Sequence, residues 1–190
     1  MADMTVRVAA GSRERTRNLV SAALVTALMA ASGWISLPLG TVPITLQVFV
    51  VFLAALLLPW TWAGASLGVY LLLGTIGVPV FASGTAGLGI VLGPTGGYLM
   101  GFAIAATVAA LLRQAFERAG ARQLFADIAA CAIAIAIIYT LGAAQLMVVA
   151  HMGALPALLA GVVPFVVPDA IKAAVGVSVA TAVRRATSAR

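Results

Sequence analysis

Charge is what this sequence has least of. Only 8% of its 190 residues are Asp, Glu, Lys or Arg, where a soluble domain carries about 25%. Hydrophobic residues make up 63% and the mean hydropathy is +1.15. That leaves too few polar side chains to cover a water-soluble globule, so the natural solvent is a bilayer. A single cysteine, Cys131, excludes an internal disulfide framework. It lies in the run "IAACAIAIAII" and reads as a small buried residue. The single histidine, His151, has no second histidine or cysteine at ligand spacing, so no metal site is expected. A formal charge of +6 raises the question of nucleic acid. The arginines fall in three short stretches without interleaved aromatics, which argues for membrane orientation and against a nucleic-acid partner.

What is present is a series of apolar runs. A hydrocarbon core of about 30 Å needs roughly 20 helical residues. The runs predict an all-α membrane protein with six transmembrane helices, near Asn18–Leu37, Pro43–Leu58, Trp62–Ile76, Gly96–Leu112, Asp127–Ala150 and Leu155–Val183. The second and third are short and are expected to be tilted or partly re-entrant. Residues 1–17 read as an N-terminal tail, 18–185 as one six-helix domain and 186–190 as a C-terminal tail. Arg13–Arg17 followed by "LVSAALVTALMAAS" mimics a signal peptide; a retained first span is the favoured reading. No internal repeat stands out, which weighs against transporter folds built from inverted repeats. No nucleotide-binding module is expected.

Charge position orients these spans. Arg7, Arg13, Arg15 and Arg17 precede the first. Arg113, Arg118 and Arg122 lie between the fourth and fifth, and Arg184, Arg185 and Arg190 follow the sixth. The connections between spans one and two, three and four, and five and six carry no lysine or arginine. The positive-inside rule then puts both termini in the cytoplasm and requires an even number of spans. Trp60 and Trp62 at the tight turn after the second span read as interfacial anchors on the cytoplasmic side.

Three features carry candidate chemistry. The first is "VVPDAIKAA", residues 166–174. It places Asp169 and Lys172, the only lysine, in a run that is otherwise uncharged from Leu155 to Val183. Lys172 lies about 18 Å before Arg184 along a helix, so both residues fall in the outer half of the membrane. At (i, i+3) they share one face. They are either a self-neutralising ion pair that fixes packing or the polar wall of a binding site, since intramembrane ionisable groups usually mark function. The second is "GTIGVPVFASGTAGLGIVLGPTGGYLMG", residues 74–101, with nine glycines. It has neither Walker-type lysine nor GxGxxG spacing. A loop this apolar is expected to pack over a cavity, not to float in solvent. The third is "LPLGTVPITLQVF", residues 37–49, where Thr45 and Gln47 are polar at the outer end of the second span. No nucleophile, metal or cofactor set accompanies them, so no catalytic residues and no enzyme activity are expected.

The stretches "LPLGTVPITLQ" (37–47), "YLLLGTIGVPVF" (70–81), "GLGIVLGPTGGYLMGF" (87–102) and "VPDAIKAA" (167–174) resemble the BioY family. These are the membrane-embedded biotin-binding S components of energy-coupling factor (ECF) transporters. The resemblance runs from about residue 19 to 185. It implies six helices, cytoplasmic termini, a biotin pocket near the outer surface and a loop before the fourth span that closes it. It makes biotin a transported ligand and not a cofactor. Under it, Asp169 accepts from a ureido N–H, and Lys172 donates to the ureido carbonyl or neutralises the carboxylate. Phe49, Phe81 and Tyr98 wall the bicycle, and Gln47, Ser83 and Thr85 add hydrogen bonds.

The resemblance also implies a transmembrane scaffold subunit and two cytoplasmic ATPases as partners, although some family members are thought to work without dedicated ones. S components dock the scaffold through small residues on the first helix, here Ala23, Ala27 and Ala31 at four-residue spacing; packing within the subunit is the alternative. Membrane lipid is the solvent, a homo-oligomer is left open, and the cytoplasmic membrane of a prokaryote is the expected location. The rival functions are a self-sufficient secondary transporter, with Asp169 as a proton site, and a small membrane enzyme or scaffold.

Overall fold

The computed structural model describes residues 2–38 and 40–188, with side chains for 12–38 and 40–187. The structure is a helical bundle. The long α1 (Ala2–Trp34) leads into a short antiparallel hairpin of β1 (Ser36–Leu37) and β2 (Ile44–Thr45), paired Ser36 to Thr45 and Leu37 to Ile44. Then come α2 (Gln47–Leu57), α3 (Trp60–Thr75), a 3-10 turn (Ala82–Gly84) and the one-turn α4 (Leu88–Val91). The chain closes with α5 (Gly96–Arg118), α6 (Gln123–Val149), α7 (Ala154–Gly161) and α8 (Val163–Ser188).

Three stretches are long and apolar enough to cross a membrane: Gly96–Arg118, Gln123–Val149 and Ala154–Thr187. α2 is much shorter, at 11 residues, or about 16 Å. Nine of those residues are buried, so α2 is a core element of the bundle, packed against α1, α5, α6 and α8. The last expected span is not one helix but two. The backbone breaks at Val162 (φ −126°, ψ −57°) between α7 and α8, beside Pro164, which cannot continue a helical ladder. At the other end of the chain, α1 continues through most of the expected tail, residues 1–17. Arg7 and Arg190, used in the orientation argument, lie outside the described side chains, as does the end of the expected C-terminal tail.

Small residues set how closely the long helices pack. Ala105, Ala106, Ala109 and Ala110 on α5 and Ala126, Ala130 and Ala134 on α6 have no exposed surface. In lipid, close backbone approach and dispersion replace the hydrophobic drive. The α5–α6 turn is a Schellman motif. Ala121 N–H donates to the Phe116 carbonyl and Gly120 N–H to the Glu117 carbonyl, both at 3.0 Å. Gly120 takes φ +83° there, which a side chain would oppose. Large apolar side chains such as Leu24, Leu28, Ile128, Val148 and Ile171 face outward.

Arginines gather at one end of the bundle. Arg17, Arg113 and Arg184 line one groove there. Asp127 on α6 receives Arg113 Nε at 2.7 Å and also the Arg184 guanidinium. Arg113 bonds Glu117 as well, at 2.7 Å, and Arg184 caps α2 by donating to the Leu56 carbonyl at 3.1 Å. The glycine-rich segment and the hairpin meet at the opposite end, where Ser36 and Ser83 share a hydrogen bond of 2.9 Å.

Candidate functional site

A cavity lies in the half of the bundle away from the arginines. It is lined from the hairpin, the N-terminal end of α2, the 76–95 segment, α5, α6 and α8. Its walls are mainly apolar, with Val48, Ile90, Leu99, Phe102, Ile138 and Phe165 among them. Its free volume is about 60 Å³, small against the roughly 300–1,000 Å³ of ordinary ligand clefts. An organic ligand of any size must widen it.

One charged cluster faces this cavity. Asp169, in the second turn of α8, is 1% exposed. Its Oδ1 accepts from Lys172 Nζ at 2.7 Å and its Oδ2 from the Tyr139 hydroxyl of α6 at 2.9 Å. The i,i+3 spacing brings acid and base onto one helical face, as the sequence required. Pro168, directly before Asp169, has no N–H, so the helical ladder of α8 lacks one bond in that turn.

A second, uncharged polar group is built around Gln47. Thr45 Oγ1 donates to Gln47 Oε1 at 3.2 Å and accepts the Gln47 backbone N–H at 3.3 Å. Gln47 Nε2 donates to the hydroxyl of the buried Tyr70. The amide is thereby held in one orientation, with both ends engaged.

Aromatic rings are seated by glycines. A Cβ at Gly74 would lie 2.1 Å from the Phe81 ring. Only a glycine on α3 lets Phe81 swing in from the 76–95 segment to meet Tyr70 edge-on, with centroids 5.7 Å apart. Tyr98 lies likewise over Gly142, where a Cβ would be 2.2 Å from its ring. Gln145 of α6 donates to the carbonyls of Val91 and Gly93 at 2.9 and 2.7 Å and so fastens the end of the glycine-rich segment to the bundle.

Six of the expected site residues therefore line one cavity: Asp169, Lys172, Gln47, Thr85, Tyr98 and Phe81. Two are elsewhere. Ser83 is exposed and bonded to Ser36. Phe49 packs beside Gly176 of α8, on a different face of α2. The structure adds Tyr139, Thr95, Phe102 and Phe165. Thr95 lies within the "GLGIVLGPTGGYLMGF" stretch but was not singled out from the sequence. Tyr139 had no local signal, because its partner is 30 residues away. Ala23, Ala27 and Ala31 are exposed on α1, while Ala22, Val25 and Met29 face the bundle. Among the described residues, no group of three or more His, Cys, Asp or Glu is placed to hold a metal ion.

Comparison with known proteins places this arrangement. The pattern of the BioY family matches residues 4–189. The chain belongs to the BioY family. It is 41% identical over 170 residues to the biotin transporter BioY of Thermotoga maritima, covering 89% of this chain and 96% of that one. It is 39% identical over 158 residues to a probable biotin transporter BioY of Pyrococcus horikoshii, covering 83% and 90%. Its fold superimposes on the 2.1 Å crystal structure of an S-component for biotin from an ECF-type ABC transporter. The TM-score is 0.84 at 25% identity, over 91% of this chain and 93% of that chain. With three helical stretches able to cross a membrane, the BioY-family chain is a multi-pass membrane protein.

Proposed function

We infer that this chain binds biotin and serves its uptake across the membrane as the S component of an ECF-type transporter. The observation that carries this reading is the Asp169–Lys172–Tyr139 cluster, buried in an apolar cavity of a BioY-family chain. Biotin is an apolar bicycle with a ureido group, two N–H donors flanking one carbonyl, and a carboxylate tail. Asp169 is the acceptor for a ureido N–H. Lys172 is the donor for the ureido carbonyl or the tail. Phe81 and Tyr98 cover the rings, and Gln47, Thr45 and Thr85 supply uncharged hydrogen bonds.

The finer reading follows from charge and surface. Residues 18–185 form one domain of six spans, the last bent at Val162, with both termini on the cytoplasmic side of a prokaryotic cytoplasmic membrane. The arginine-lined end faces the cytoplasm, so the cavity opens toward the outside. The exposed stripe of Ala23, Ala27 and Ala31 is the docking face for a transmembrane scaffold that couples to two ATPases. The test is equilibrium binding of labelled biotin to the purified chain. Saturable binding, competed by unlabelled biotin, supports the reading; no saturable binding overturns it.

A further inference from the structure

Resting on the biotin reading, we propose that Tyr139 is a positioning residue for ligand recognition: its hydroxyl holds the Asp169 carboxylate open toward the cavity. A buried carboxylate is stable only when its oxygens are hydrogen-bonded. Lys172 satisfies Oδ1, but it sits one turn along the same helix and fixes Asp169 only relative to α8. Tyr139 comes from α6 and satisfies Oδ2 at 2.9 Å. It ties the carboxylate to a second wall of the same cavity, since all three residues line it. An ionised carboxylate offers about four acceptor positions. The two protein donors use one on each oxygen and leave one on each for a ligand. Without the phenol, nothing in the cluster stops the carboxylate from rotating onto the lysine ammonium, which turns its remaining acceptor positions away from the cavity. Tyr139 thus makes the site selective for ligands that bring an N–H donor.

The experiment compares the unaltered chain with Tyr139→Phe, which keeps the ring and removes the hydroxyl. Three ligands are used: biotin, desthiobiotin, which retains both ureido N–H groups, and biotin methylated on both ureido nitrogens, which has neither. Binding is measured by competition against labelled biotin in native membranes, so the comparison does not depend on the variant surviving detergent. The variant is expected to bind biotin and desthiobiotin at least tenfold more weakly, about 1.4 kcal/mol, and the methylated analogue as weakly as the unaltered chain does. Unchanged biotin affinity overturns the proposal. So does an equal loss for all three ligands, which would make Tyr139 a packing residue only. An unaltered chain that binds the methylated analogue as tightly as biotin also overturns it, because the N–H is then not read. An unaltered chain that binds no biotin overturns the functional reading itself.

Discussion

The Tyr98 hydroxyl donates to the Gly161 carbonyl at 2.7 Å, joining α5 to the break between α7 and α8. Gly161 ends α7, in the turn where helical carbonyls run out of ladder partners. The phenol takes up one of them and fixes where the chain bends. Tyr98→Phe is expected to destabilise the protein by about 1–3 kcal/mol through the unsatisfied buried carbonyl, read as a lower thermal midpoint in detergent. Gly142→Ala should do at least as much harm, since its Cβ would strike the same ring. An unchanged midpoint for Tyr98→Phe would show that the break stands without it.

Asp169→Asn and Lys172→Ala should each weaken biotin binding at least tenfold with membrane insertion intact. A buried charge stripped of its partner costs about 3–5 kcal/mol, and every 1.4 kcal/mol is tenfold in affinity. Replacing both with apolar residues separates recognition from packing. If the double variant is monodisperse and binds biotin normally, the pair is structural.

Asp127 holds two arginines from two helices. Asp127→Ala leaves Arg113, itself 7% exposed, with Glu117 alone and strips Arg184 of its carboxylate. A stability loss of about 3–5 kcal/mol is expected, measured by denaturation in detergent. Biotin affinity of the folded fraction should hold, because this cluster is remote from the cavity. A selective loss of affinity with normal stability would contradict that separation.

Orientation is tested by single cysteines on a chain in which Cys131 has been replaced. Cysteines at Thr41 and Ala154 should react with an impermeant thiol reagent applied outside the cell. Cysteines at Gln114 and Gln123 should react only after permeabilisation. The reverse pattern would invert the topology.

Ala27 is exposed on α1. Ala27→Trp should reduce scaffold assembly and biotin uptake where a scaffold is present, and spare biotin binding by the isolated chain. Full assembly with the variant would remove the stripe from consideration as a docking face.

Much of this site was legible because its chemistry stands out against so apolar a chain. Asp169 and Lys172 are conspicuous in an uncharged run, and their spacing alone puts them on one face. Gln47 and the glycine-rich segment were visible for the same reason. What escaped depends on long-range geometry. Tyr139 is one apolar-looking position in a helix of alanines and isoleucines, and nothing local marks it as the partner of Asp169. Ser83 and Phe49 were polar and aromatic in suggestive places, yet the 3-10 turn points one to the rim and the helical phase of α2 turns the other toward α8. Hydropathy located the long helices well. It could not show the bend at Val162 or the interior place of α2, because apolar composition does not distinguish lipid-facing from protein-facing surface.

The shortness of α2 also constrains how the chain is made. A helix of 11 residues covers only about half of a hydrocarbon core of about 30 Å, so the surrounding helices and not lipid must complete that crossing. The Leu58–Pro59 turn joins it directly to α3, 16 residues long. Since α2 is buried by α5, α6 and α8, all encoded later, its final seat does not exist until the last helix has been synthesised. The N-terminal end of α2, with Thr45 and Gln47, is also one wall of the ligand cavity. Ligand competence therefore arrives at the end of biogenesis, and a nascent chain stalled before α8 has no site to fill.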